Sequence, residues 1–184
     1  MNLYTIRSLL EQAYLIDAAD NGDCCEPDPP HALGRTWVVP ELELIVSDEF
    51  EEHRPKMDFP RYLPSVMMVS AKAVDRLRPI LANSGEILPI RVINDPDDYY
   101  FFNVTRVVNA VDMEHSIFRR LPSGGIMSYE RLIFDPKKLP TGPAFFKTTQ
   151  LGPVTEIYAT EAAVRAVEDA NLTGHDFRLV WSSE

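Results

Sequence analysis

The sequence predicts an α+β domain, with a largely antiparallel β-sheet and two or three covering helices. Three observations carry this. Short apolar alternations bounded by proline, glycine and asparagine recur along the chain, the pattern of strands joined by tight connections. Two windows, near residues 70–81 and 160–172, repeat their apolar residues every three or four positions behind a Ser or Thr cap, as helices do. The length, 184 residues, suits one domain over 1–184, with its core over about 36–184 and residues 1–35 forming an N-terminal helix and a Pro-rich loop.

In chain order, SLLEQAYLIDAA (8–19) sets Leu9, Ala13, Ile16 and Ala19 near helical spacing, with Ser8 as cap and Asn21-Gly22 as stop. NGDCCEPDPPHALG follows as a loop, because Pro27, Pro29 and Pro30 cannot join a regular ladder. WVVPELELIVSDEF alternates Leu42, Leu44 and Val46 against Glu41, Glu43 and Ile45, a strand with Pro40 at its edge. EFEEHRPKMDFPRYLPS mixes charge with three prolines and reads as a surface excursion, and SVMMVS as an apolar run entering the core.

A helix starts at Ser70, carries Val74, Leu77 and Leu81, and exits at Asn83-Ser84-Gly85; Pro79 is a defect that would kink or end it. EILPIRVIN (86–94) and Tyr99–Val104 are strands joined by the polar turn 94–98, a hairpin. Both faces of YYFFNV are apolar, which predicts a central strand covered on both sides. Its Asn103 must then find a partner, backbone or a side chain such as Asp112, because an unpaired buried amide costs about 1–3 kcal/mol. Val104, Val107, Val108 and Val111 next follow helical spacing, predicting a short helix or turn. YERLIFDP and PAFFKTTQ are two more short strands, and the last thirty residues read strand, helix, strand. There Thr160 is the cap, Val164, Val167 and Leu172 form the buried stripe, and Gly174 is the stop.

Candidate chemistry is sparse. Asp112 and His115 stand three apart, beside Glu114, a spacing that joins a carboxylate to an imidazole on one helical turn. With Asn103 they define the alternative reading, a small hydrolase or ligand-binding domain with a pocket near the three. The pair falls short of a metal site, because His31, His53 and His175 lie in loops without ligand spacing. Adjacent Cys24 and Cys25 cannot both reach one tetrahedral zinc beside His31, nor do they make a loop-closing disulfide framework. Neither has the glycine flanks of a nucleophile elbow, and Ser123-Gly124-Gly125 lacks the lysine and helix of a phosphate cradle. Asn103-Val104-Thr105 matches a glycosylation sequon that has no meaning without a secretory route. No catalytic residue, metal or cofactor is therefore expected.

A net charge of −10, from 28 acidic and 18 basic residues, repels phosphate backbones and argues against nucleic acid as a partner. The same field steers a basic protein. No apolar run approaches the roughly 18 residues of a membrane span, and the N-terminus has no signal-like pattern, so a cytoplasmic protein is expected.

The segment Asp98-Tyr99-Tyr100-Phe101-Phe102-Asn103-Val104-Thr105-Arg106-Val107-Val108-Asn109-Ala110-Val111-Asp112 resembles the most characteristic stretch of the bacterial immunity-protein family eleven, found beside polymorphic and contact-delivered toxins. Further similarities keep the same order: Met57-Asp58-Phe59-Pro60, Ser70 with its helix and Gly85-Glu86-Ile87-Leu88-Pro89, and Leu172-Thr173-Gly174-His175-Asp176-Phe177. The resemblance covers most of 57–180 and implies a protein that protects its producer by binding a cognate toxin, with no chemistry of its own. It carries over no site residue; Asn103 and Asp112 look like scaffold. If the toxin is basic, its contacts are expected at the acidic clusters Asp48, Glu49, Glu51 and Glu52, or Asp95, Asp97 and Asp98. The segment CCEPDPP lies outside the resemblance and is a further place for partner specificity.

Overall fold

The computed structural model describes residues 1–9, 11–17, 32–47, 53–62, 66–152 and 156–183. In chain order they form β1 (Asn2–Ser8), β2 (Tyr14–Asp17), β3 (Glu41–Ile45), β4 (Met67–Ser70), α1 (Ala71–Ser84), β5 (Gly85–Pro89), β6 (Arg91–Val92) and β7 (Tyr99–Val104). After these come β8 (Ile117–Arg120), β9 (Ile126–Arg131), β10 (Phe145–Phe146), β11 (Tyr158–Thr160), α2 (Glu161–Asp169) and β12 (His175–Ser182). The fold is α+β, but its strands divide among four small sheets, ordered β10-β11-β1-β12, β2-β3-β6, β4-β7-β5 and β8-β9. Only the β3–β6 pairing between named strands is parallel.

Three apolar clusters lie on the faces of these sheets. α1 and α2 pack Ala73, Leu77, Leu81, Ala163 and Val167 against Val69, Phe102, Phe145 and Ala159. Leu3, Phe134, Phe146 and Tyr158 form a second cluster, and Leu15, Leu42, Met68 and Phe101 a third. β7 is central, as expected. Alternation sends Phe102 and Val104 to the helical cluster and Tyr99 and Phe101 to the third.

The caps of both helices are those expected. Ser70 Oγ accepts from Ala73 N at 3.1 Å and Thr160 Oγ1 from Ala163 N at 3.3 Å. Pro79 does not end α1, because its ring faces outward while Leu77, Leu81 and Ser84 keep the inner stripe buried to the last turn. The helix then becomes β5 without a loop. Gly85 permits this by close approach, since a Cβ there would lie 2.0 Å from the Asn103 carbonyl oxygen.

Four expected elements differ. The 86–94 strand is split, because β5 alone pairs with β7 while β6 leaves to pair in parallel with β3. The helix over 8–19 gives way to strand at residues 14–17, because Ala13 and Leu15 are buried while Leu9 and Ile16, on the supposed helical face, are exposed. The N-terminal region therefore belongs to the sheets, with β1 between β11 and β12 and β2 paired to β3. The helix over 104–111 is extended chain instead. Valine is a poor helix former, and the backbone bonds across to the 145–147 segment, Val108 N to Lys147 O at 2.8 Å and Lys147 N to Arg106 O at 2.9 Å. Finally, α2 stops before Gly174, through Asn171 in the left-handed region (φ 49°). The CCEPDPP segment lies outside the described residues.

Candidate functional site

The stretches that carry the family resemblance are distant in sequence, and polar side chains join them in space. Asp58, from Met57-Asp58-Phe59-Pro60, is the main junction. Its Oδ2 accepts from Thr173 N (3.0 Å), Thr173 Oγ1 (3.1 Å) and Lys72 Nζ (2.9 Å), and its Oδ1 from Ser70 Oγ (3.0 Å). Its backbone carbonyl accepts from Ser70 N at 2.8 Å, and Phe59 N donates to Thr173 O at 3.0 Å. One carboxylate thus ties the start of α1 to the turn after α2. Burial pushes this carboxyl up, but the Lys72 ammonium and the Thr173 and Ser70 donors outweigh it and hold it below its ordinary value.

Glu86 is the second junction. It stands opposite Asn103 in the β5–β7 register and accepts from Asn103 Nδ2 at 2.9 Å. The same carboxylate accepts from the backbone N–H groups of Leu33 and Gly34, holding the short 3₁₀ turn Gly34–Thr36 against the core. The side chain that Asn103 meets is thus Glu86, placed opposite it by strand register, and not Asp112. We predict that Glu86→Ala lowers stability by about 1–2 kcal/mol and speeds hydrogen exchange at Leu33 and Gly34. A double-mutant cycle with Asn103→Ala should give a coupling of about 1 kcal/mol; strictly additive losses would show that the pair is not coupled.

Asp112 and His115 do meet, in a turn rather than a helix. Asp112 Oδ1 accepts from the backbone N–H of Glu114 and of His115, both at 3.0 Å, and Oδ2 lies 2.8 Å from His115 Nδ1. Those backbone bonds, then the imidazole, keep the Asp112 carboxyl below its usual value. A shallow cleft of about 530 Å³ lies beside this turn, lined by residues that include Val111, Asp112, Glu114, Phe134 and Lys138. Neither Asn103 nor His115 lines it, so the three residues of the hydrolase reading do not share it. Among the described residues, no three His, Cys, Asp or Glu side chains cluster as metal ligands.

Of the acidic clusters, Asp48, Glu49, Glu51 and Glu52 lie outside the described residues. Asp95 is spent on its own turn: its side chain is 7% exposed, it pairs with Lys56, and it accepts from Asp97 N at 2.9 Å. Asp97 and Asp98 are exposed, though Asp97 also reaches Lys56 at 3.2 Å. Sequence reasoning does not find Asp58, Thr173 or Glu86 as junctions. Asp58 and Thr173 are 115 residues apart and nothing local pairs them, and the hairpin with its turn at 94–98 sets Asn103 opposite Pro89, three residues from the Glu86 that the structure pairs with it.

The polar side chains just described hold distant segments of the chain together. Residues 6–181 match the immunity protein family Imm11, and the chain belongs to that family. No curated protein matches the chain. No helix among the described residues is long and apolar enough to cross a membrane.

Proposed function

We propose that the whole chain, residues 1–184, is one immunity domain that binds a cognate bacterial toxin in the cytoplasm and neutralises it by occlusion, without chemistry of its own. The observation that carries this reading is the family match over 6–181. The bonding of Asp58, Glu86 and Asn103 supports it, because these side chains serve the scaffold. Co-expression with the toxin domain encoded by the adjacent reading frame tests it: the chain should restore growth and co-purify with the toxin, and a toxin that still kills would refute the reading.

Against a basic toxin, the exposed Asp97 and Asp98 and the cluster Asp48, Glu49, Glu51 and Glu52 supply long-range attraction. Replacing each of these six residues by Lys, one cluster at a time, should slow association about tenfold at low salt and flatten its salt dependence. Unchanged rates in both cluster variants would remove the electrostatic part of the proposal.

A further inference from the structure

Charge is unevenly placed along the chain. Residues 117–138 carry five basic and two acidic side chains, net +3, so the other 162 residues together carry −13. Most of this basic stretch is the β8–β9 hairpin. Among the described residues those two strands pair only with each other, so neither outer edge carries a further strand. Its inner residues Phe118, Ile126 and Tyr129 pack on the second apolar cluster, and Tyr129 Oη donates to Glu156 at 2.7 Å, which fixes the arm to the body. Outward, Ile117, Leu121 and Met127 are 45%, 44% and 55% exposed, beside Arg119, Arg120 and Arg131. Arg119 reaches Glu130 at 2.9 Å, Arg120 lies over the Phe118 ring, and Arg131 has no partner among the described residues.

Charges alone would suffice to keep a free sheet edge from pairing. They do not explain three large apolar side chains among them. Arginine and methionine are instead enriched in protein interfaces, and this hairpin, anchored through Phe118, Ile126 and Tyr129, presents both outward. We propose that the β8–β9 arm is the docking element of this chain and that its occupant is an acidic cleft of the toxin. The proposal rests on the toxin-binding reading above. Charge complementarity selects the occupant: an arm of net +2, from Arg119, Arg120 and Arg131 against Glu130, on a body of −12 is repelled by a basic surface and drawn to an acidic one. The footprint is then two-signed. The acidic segments guide a toxin that is basic overall, and the arm seats in its carboxylate-rich cleft, which gives occlusion a physical form.

The test uses the full chain and the toxin domain from the adjacent reading frame. Combined Arg119→Glu, Arg120→Glu and Arg131→Glu should weaken binding about a hundredfold with the melting temperature unchanged. Independently of that variant's folding, a photo-crosslinking residue in place of Met127 should capture the toxin, and one at Ala162 on α2 should not. Unchanged affinity of the reversed arm, or capture at Ala162 alone, overturns the proposal and leaves toxin binding standing. So does capture of a second copy of this chain at Met127, or retention of a labelled DNA duplex that the reversed arm loses. A wild-type chain that binds no toxin overturns the arm and the toxin-binding reading together.

Discussion

Asp58→Ala is expected to lower the unfolding free energy by about 3 kcal/mol, a large part of the roughly 5–15 kcal/mol that holds a domain of this size together. The substitution strips the acceptor from Ser70 Oγ, Thr173 N and Thr173 Oγ1 at once, and these groups sit between α1 and β12. Hydrogen bonds to a charged acceptor contribute more than neutral ones, about 1.5–3 kcal/mol each net of the exchange with water, and bonds that share one carboxylate do not add in full. The ion pair with Lys72 adds little, because the lysine side chain is half exposed and screened. Chemical denaturation of the two proteins checks the value; a loss below about 0.5 kcal/mol would mean that the junction is dispensable.

The same carboxylate gives a pH dependence with a definite sign. Its folded-state pKa lies below its ordinary value, so its stabilisation is complete above the unfolded-state pKa of about 3.9 and is lost as pH falls through the lower, folded value. Wild type should therefore lose stability more steeply than Asp58→Asn below about pH 4. Thermal melts of the two between about pH 5 and pH 2.5 read this directly, and parallel curves would contradict it.

Gly174→Ala is expected to cost about 3 kcal/mol or more, from two separate causes. The backbone there has φ 93°, a region that side chains enter only with strain. A Cβ would also lie 2.5 Å from Met57 Cβ, 2.5 Å from Gln12 Oε1 and 2.9 Å from the Phe59 carbonyl oxygen. Gln12 is fully buried and its Nε2 already donates to Phe59 O at 2.8 Å, so that side chain cannot easily withdraw. Melting the variant checks the strain. A variant as stable as wild type would show that the Met57–Phe59 segment yields freely.

What is legible in the sequence is whatever local chemistry decides. Ser70 and Thr160 cap their helices as read, and the double-faced apolar pattern of Tyr99–Val104 becomes a strand covered on both sides. Periodicity in short windows fails. Four residues, Leu9, Ala13, Ile16 and Ala19, fit a helix on paper, yet pairing of β2 with β3 decides the backbone of 14–17. The valines of 104–111 mislead likewise, through the bonds of 106–108 to Lys147. Gly174 has the residue type of a helix stop but serves a different end. It lets the chain pass Phe59 and Met57, while Asn171 turns the helix. The β8–β9 arm is hard to see in the sequence because its charges are ordinary one by one. They stand out only against the negative sign of the rest of the chain.

The position of β1 has a consequence for the order of assembly. Its neighbours β11 and β12 come from the far end of the chain, with Asn2 opposite Ser182. During synthesis β1 leaves the ribosome well before either partner, and must wait until everything between Ser8 and Tyr158 has been made. Pairings that span so much of the sequence are entropically slow to close. The four-stranded sheet is therefore a late event, and a nascent chain can complete β2-β3-β6 and β4-β7-β5 well before it.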